Sequence, residues 1–319
     1  MNKKQVVFIA FLIVALTFFP LVIRREDIIN LLILIFLFVI LASSWNILGG
    51  YAGQINLGHA AFFGLGSLTT RLLWMSGTPF FLSLLAGGAA AVALALFIGI
   101  PAFRLRGIYF AIGTLALGQI LYVTVGNALP IISALPGQYL ATYQLVPRYY
   151  LFLALALLTT GATHILVNSS LGLGMMAVRE EEEAAESLGI SALQHKLLAL
   201  GTSAFFAGLA GGAFAYYHVS YYYQFPFGPV WTFDALLIAF IGGAGTIIGP
   251  IVGAVFYVVV KEVLAVTLVE VHLIVFGVLF ILVVLFLPGG LVEAWEKIQG
   301  AIVRSSRLKG FKFSTKKGD

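Results

Sequence analysis

The sequence predicts an all-α, polytopic helical integral membrane protein of about ten spans, some of them Gly-rich and broken or re-entrant, with both termini in the cytoplasm. Three observations predict it. Of the 319 residues, 61% are hydrophobic and 10% charged, with mean hydropathy +1.05. A soluble chain of this length needs far more polar surface. Apolar runs recur along the whole chain, many near the roughly 20 residues that a helix needs to cross the hydrocarbon core. Basic residues gather in alternate loops. No long polar stretch leaves room for a separate soluble domain, and the absence of cysteine excludes disulfides, thiolate metal sites and cysteine nucleophiles.

In order, the expected spans are 6–23, 28–48, 57–75, 79–100, 107–126, 149–168, 197–217, 233–249, 250–269 and 272–287. The first follows MNKK and looks like a signal peptide, but its apolar run is long and lacks a small-residue cleavage site, so it reads as a retained span. The third and eighth are short and rich in glycine, as broken or re-entrant helices are. The chain then divides into an N-terminal span and outer loop (1–27), a transmembrane domain (28–291) and a basic cytoplasmic tail (292–319).

Orientation follows from the basic residues. With the N-terminus inside, Lys3, Lys4, Arg104, Arg106, Arg179, Lys196 and the seven basic residues from Lys297 onward are cytoplasmic. Arg24, Arg25 and Arg148 fall in outer loops, and Arg71 and Lys261 lie within spans. That asymmetry selects N-in, C-in and an even number of spans. The run YYHVSYYYQF (216–225) lands at the outer end of the seventh span, where five tyrosines suit an aromatic belt better than a stacking platform for a ligand. The tail, SSRLKGFKFSTKKGD, suits contact with anionic membrane lipid rather than nucleic acid.

Two stretches depart from a uniform lipid-facing helix. LGGYAGQINLGHAAFFGLGSL (48–68) mixes six glycines with Gln54, Asn56 and His59, just after Asn46. IGGAGTIIGPIVGA (241–254) carries Gly242, Gly243, Gly245, Gly249, Gly253 and Pro250. Glycines let helices pack closely, and the spacing of Gly249 and Gly253 suits that. They also let a helix stop and restart where the freed backbone lines a cavity or is buried in protein. Asn46, Gln54, Asn56, His59, Gly242, Gly243 and Gly245 are therefore candidates for a translocation path. Asn56 also suits a helix N-cap, and it shares a face with His59 if the helix starts near 56. Arg71, Lys261 and Glu262 are costly, at about 2.5–3.5 kcal/mol for a charge at a helix centre. Arg71 lies near the end of its span and is expected to snorkel. Lys261 and Glu262 are adjacent and do not pair across a helix face.

The segment 169–196 is the polar exception. Its core, REEEEAAESLG (179–189), is made of helix formers up to Ser187, with glutamates in the first turns and Gly189 where a left-handed terminus is needed. This predicts a short cytoplasmic amphipathic helix, with Ala184 and Ala185 as a small flat face for a partner. A solvated linker is the plainer reading, but long ordered loops tend to be functional.

Residues 172–212, GLGMMAVREEEEAAESLGISALQHKLLALGTSAFFAGLAGG, resemble the EAA loop of ABC importer permeases of the branched-chain amino acid (LivM) type. GYAGQINLGHAAFFGLGS (50–67) and FIGGAGTIIGPIVGA (240–254) also match that type, in the same order, so the resemblance runs from about 28 to 291. It implies a bacterial or archaeal cytoplasmic (inner) membrane and an importer of several chains. These are this permease, a homologous second permease subunit, two cytoplasmic ATPase subunits carrying ATP and Mg, and an extracytoplasmic solute-binding protein. It implies that Arg179, Glu180, Glu183, Ala184, Ala185 and Gly189 lie at the ATPase contact. The sequence has no Gly-Lys dipeptide and hence no phosphate-binding loop of its own, so this chain is expected to bind no cofactor and to be no enzyme. Asn56 stands where such permeases usually have Ser, Ser67-Leu68 where Ala-Tyr is frequent, and Arg71 where a small or apolar residue is usual. These departures fall in the suspected path and leave urea or another small polar solute as an alternative substrate. An ion-coupled carrier using His59, Lys261 or Glu262 is the rival mechanism. No HExxH or GxSxG motif supports an intramembrane enzyme.

Overall fold

A computed structural model describes residues 3–267, apart from Arg24, Pro136 and Thr142, together with scattered positions between 274 and 297. The expected tenth span and most of the basic tail lie outside the described residues. The helices are α1 (Lys3–Val22), α2 (Glu26–Asn46), α3 (His59–Met75), α4 (Phe80–Ala102), α5 (Ile108–Ala128), α6 (Gly137–Ala141) and α7 (Leu145–Val167), followed by α8 (Ser170–Glu180), α9 (Glu182–Ser187), α10 (Ala192–Tyr217), α11 (Val230–Gly242) and α12 (Gly249–Thr267). Two short strands, β1 (Ile132–Ala134) and β2 (Ser220–Tyr222), pair antiparallel with Ser133 opposite Tyr221.

Nine expected spans coincide with helices, but fewer are of full length. Among the described residues, six helices are long and apolar enough to cross a membrane: α2 with its extension to Tyr51, α4, α5, α7, α10 and α12. The apolar part of α1 (Ala10–Val22) and α11 are shorter, and α3 has 17 residues. The two glycine-rich segments account for the short α3 and α11. After Asn46 the chain takes wider helical turns over Ile47–Tyr51 and then leaves helix until His59. Between α11 and α12 it breaks at Gly243–Ile248, where Gly243 (φ 126) and Gly245 (φ 80) adopt conformations that suit only glycine.

Helix α2 is the axis of the bundle. It is buried without interruption from Ile35 to Asn46, as a helix surrounded by protein must be, and packs against α7, α10, α11 and α12. Helices α3, α4 and α10 approach through glycines. A Cβ on Gly66 would stand 2.2 Å from the Gly208 carbonyl oxygen, and one on Gly87 2.6 Å from the Gly66 carbonyl oxygen. Backbones this close gain packing contacts that lipid cannot offer. The α11–α12 contact has the same origin, with Gly253 against the Ile238 carbonyl and Gly249 against that of Gly243. The close spacing of Gly249 and Gly253 is thus explained by packing.

Arg71 does not snorkel. It is fully buried, and its guanidinium donates to the carbonyls of Ala215 (3.2 Å), His218 (3.3 Å), Val219 (3.3 Å) and Ser133 (3.0 Å). Arg148, expected in an outer loop, is also buried, and its Nε donates to the Tyr216 carbonyl at 3.0 Å. The Tyr143 hydroxyl donates to the Tyr217 carbonyl. The last carbonyls of a helix have no partner within it, and a buried helix end must find others. Two arginines and a tyrosine supply them for α10, and the cations favour the negative end of its dipole.

The tyrosines of 216–225 serve the same end of the bundle. Tyr216 stacks on Phe80 and flanks Arg148 (4.2 Å), while Tyr221 is buried, donor or acceptor to Ser67 at 2.8 Å, and 5.4 Å from Arg71. Of the five, Tyr222 alone is largely exposed. Tyr216 and Tyr221 thus flank two buried arginines inside the bundle. His218, outside the helices, is held below its ordinary pKa by burial, opposed by its bond to the Phe214 carbonyl and aided by nearby Arg71.

Candidate functional site

The acidic segment forms two helices, not one. Ser169 caps α8 by accepting from the Gly172 amide at 3.3 Å. Helix α8 ends where Glu181 turns extended (φ −156, ψ 108), and α9 begins at once. The break lets α9 fold back, so that Ala185 packs with Val178, Ala192 and Ile190, and Glu182 reaches the buried ammonium of Lys196 at 2.5 Å. Ala185, expected on an open face, is therefore 3% exposed. The open surface includes Glu180, Glu181, Glu183, Ala184, Glu186, Ser187, Leu188 and Gly189, and Leu188 is 81% exposed. Arg106 meets Glu183 at 3.5 Å, but both are so exposed that the pair adds little.

Helix α9 ends as Gly189 predicts. At φ 84 its amide bonds the Glu186 carbonyl, and that of Ile190 returns to Ala185, with Ile190 packed against Ala185. No atom lies within 4 Å of where a Gly189 Cβ would stand, so the requirement is conformational. Gly189→Val is expected to cost about 1–2 kcal/mol in this loop, and Gly189→Asn, which tolerates this conformation better, less. Equal rates of limited proteolysis in the loop for the valine variant and wild type would count against the conformational requirement.

Arg179 leaves this segment and reaches both helix breaks. Its Nη1 donates to the Gly50 carbonyl, and its stem crosses Gly53 so closely that a Cβ there would stand 2.8 Å from Cγ. A Cβ on Gly245 would stand 2.7 Å from Nη1. Asn46 ties the two breaks together, its Oδ1 accepting from the Gly245 amide (2.8 Å) and its Nδ2 donating to the Thr246 carbonyl (2.9 Å). Gly243 turns the chain, and Gly242 packs on Gly249. One candidate from the acidic segment and two from the glycine-rich stretches thus meet at one point, a convergence that sequence spacing does not reveal.

The remaining candidates lie at the start of α3. Asn56 is not a cap of that helix, because α3 begins three residues later; its Oδ1 instead accepts from Gly58 within the preceding turn. His59 is buried and meets the Ser44 hydroxyl at 2.9 Å, and Ser44 in turn donates to the Leu41 carbonyl. The buried Asn56 Nδ2 and His59 Nδ1 have no partner among the described residues. Gln54 is half-exposed and bonds locally to the Ala52 carbonyl at 3.4 Å.

A charged cluster lies elsewhere, on α11 and α12. Lys261, left without a partner by the sequence, stands 3.6 Å from Asp234 and donates to the Tyr257 hydroxyl at 3.0 Å; Tyr257 donates to Asp234 at 2.5 Å. Asp234 was legible as a lone acid in an apolar run, the same signal that singled out Lys261.

Apolar helices around a buried axis, with two backbone breaks inside the bundle, are the architecture of a multi-pass membrane protein. Residues 27–284 match the family described as branched-chain amino acid transport system / permease component. The chain belongs to that family. It is 28% identical to the high-affinity branched-chain amino acid transport system permease protein LivM of Escherichia coli (strain K12), over 90% of this chain and 75% of the relative. It is 25% identical to a probable branched-chain amino acid transport permease protein LivM of Methanocaldococcus jannaschii, over 83% of this chain and 93% of the relative. No solved structure matches the chain.

Proposed function

We propose that this chain is the transmembrane permease subunit of an ATP-binding-cassette importer that moves leucine, isoleucine and valine into the cytoplasm by alternating access. The observation that carries this reading is Arg179, which joins the acidic segment to both helix breaks. Helix breaks inside a membrane bundle are where a transport path can open, and a side chain that touches both can bias them together. Glu183, Ala184, Leu188 and Gly189 form the face that receives the ATPase subunits. ATP and Mg act on those partners, and a homologous permease and an external binding protein complete the importer. Both termini are then cytoplasmic in a bacterial or archaeal inner membrane, with ten crossings in which α3 and α11 are the short members.

Urea or another small polar solute remains the second substrate reading, favoured by the buried Asn56 Nδ2 and His59 Nδ1, which have no partner among the described residues. Reconstitution tests both questions. Proteoliposomes holding the two permeases, the ATPases, the binding protein and ATP should accumulate labelled leucine but not urea, and should accumulate neither when the ATPases are omitted. Accumulation without them would establish an ion-coupled carrier instead.

A further inference from the structure

We propose that the cleft lined by Asp234 and Lys261 is a binding site for a zwitterionic α-amino acid, its ammonium on Asp234 and its carboxylate on Lys261. This rests on the import reading above and adds the site to it. The cleft has a volume of about 680 Å³ and lies between α2, the C-terminal end of α5, and α11 and α12. Its wall is mainly apolar, with Leu34, Phe38, Trp231 and Val258, and Phe38 stacks on Trp231 with ring centroids 6.0 Å apart. An apolar cleft with few convergent polar groups is the usual form of a small-molecule site.

The charges face this cleft and are incompletely used by one another. Asp234 Oδ1 is held by the Tyr257 hydroxyl, while Oδ2 lies 3.6 Å from the Lys261 ammonium, beyond hydrogen-bonding distance. Lys261 has three donor hydrogens and spends one on Tyr257. Its side chain is 38% exposed, against 11% for Asp234, so it stands at the mouth and the acid stands deeper. A buried ion pair is no more stabilising than apolar residues of the same size, and charges within apolar helices are costly. The pair is therefore poorly explained as a brace. A fixed anion beside a fixed cation is complementary to a zwitterion, and an uncharged solute gains hydrogen bonds only. The lining of the cleft includes Tyr222 and Gln224, beside the β1–β2 pair and away from the acidic segment. In the proposed orientation that is the outer side, where a binding protein releases its cargo.

The test is equilibrium binding of labelled leucine to the complete membrane complex in nanodiscs, without the external binding protein, whose own specificity would mask the cleft. Wild type should bind leucine saturably. It should bind 4-methylpentanoate, which lacks the ammonium, and 3-methylbutylamine, which lacks the carboxylate, about tenfold or more weakly, the effect of one charge-assisted hydrogen bond. Lys261→Met should lose that discrimination against the amine while binding leucine about tenfold more weakly, and Lys261→Arg should restore both. Asp234→Asn should mirror this for the acid, with gel filtration checking assembly. A merely structural pair would not give analogue-specific effects. Leucine binding unchanged in Lys261→Met, or none in wild type, overturns the site. If an ethanolamine lipid headgroup binds through the pair and leucine does not, the amino-acid assignment is overturned. If leucine binds through the pair but the complex imports none, the import reading fails and the site stands. If the complex imports leucine and the variants bind it normally, the reverse holds.

Discussion

Replacing Arg71 with methionine is expected to destabilise the protein substantially, although methionine is apolar and the position sits within an apolar helix. The guanidinium answers four carbonyls, of which those of Ala215 and His218 belong to the end of α10 and that of Ser133 to β1. Without it the buried Ala215 carbonyl and the partly buried His218 carbonyl lose their donor, at about 1–3 kcal/mol for each left unsatisfied, while Ser133 stays paired opposite Tyr221. Val219 keeps a partner in the Leu135 amide, so it loses less. The end of α10 would fray, and the β1–β2 pair would be held to α3 by the Ser67–Tyr221 bond without the Arg71 contacts. Arg71→Lys should rescue only part, since an ammonium cannot fan its donors as a planar guanidinium does. In thermal unfolding of the purified chain, Arg71→Met should lower the midpoint by about 3–5 °C, the shift expected for a loss of about 2–3 kcal/mol in a chain of this length. An unchanged midpoint would show that the α10 carbonyls do not need this cap.

Arg179 should behave in the opposite way, with little effect on stability and a large one on transport. More than a third of the residue is exposed, and its bond to Gly50 is accessible to solvent, so Arg179→Ala should cost the fold about 1 kcal/mol. What it removes is the link from the acidic segment to Gly50, Gly53 and Gly245. Once it is gone, Asn46 still joins the two breaks to each other, but the Arg179 link to the acidic segment is lost. Coupling free energies between sites are typically 1–3 kcal/mol, so uptake should fall about tenfold or more while assembly is retained. Lys at this position keeps the charge but lacks the reach and fork of the guanidinium, and should recover only part of the loss.

Much of this fold was legible in the sequence because apolar length acts locally. Nine helices fall where the apolar runs do, and the two glycine-rich segments are the two places where helices stop inside the bundle. Gly189 was legible because the left-handed turn after a helix needs glycine whatever surrounds it. Other features depend on partners distant in sequence. Arg71 read as a snorkelling charge because the carbonyls it serves lie more than 140 residues away on α10, or 62 away at Ser133. Ala185 read as an open face because the fold-back at Glu181 that buries it depends on Val178, Ala192 and Lys196 together. Lys261 lacked a partner only because Asp234, 27 residues earlier, was not matched with it.

The most direct test of the proposed coupling is to count leucine moved and ATP hydrolysed in the same proteoliposomes, for wild type and for Arg179→Ala. Wild type should show uptake that stops when ATP is withheld. The variant should continue to hydrolyse ATP while its leucine-to-ATP ratio falls about tenfold or more. A variant ratio equal to that of wild type would contradict the proposal that Arg179 carries the motion of the acidic segment to the helix breaks.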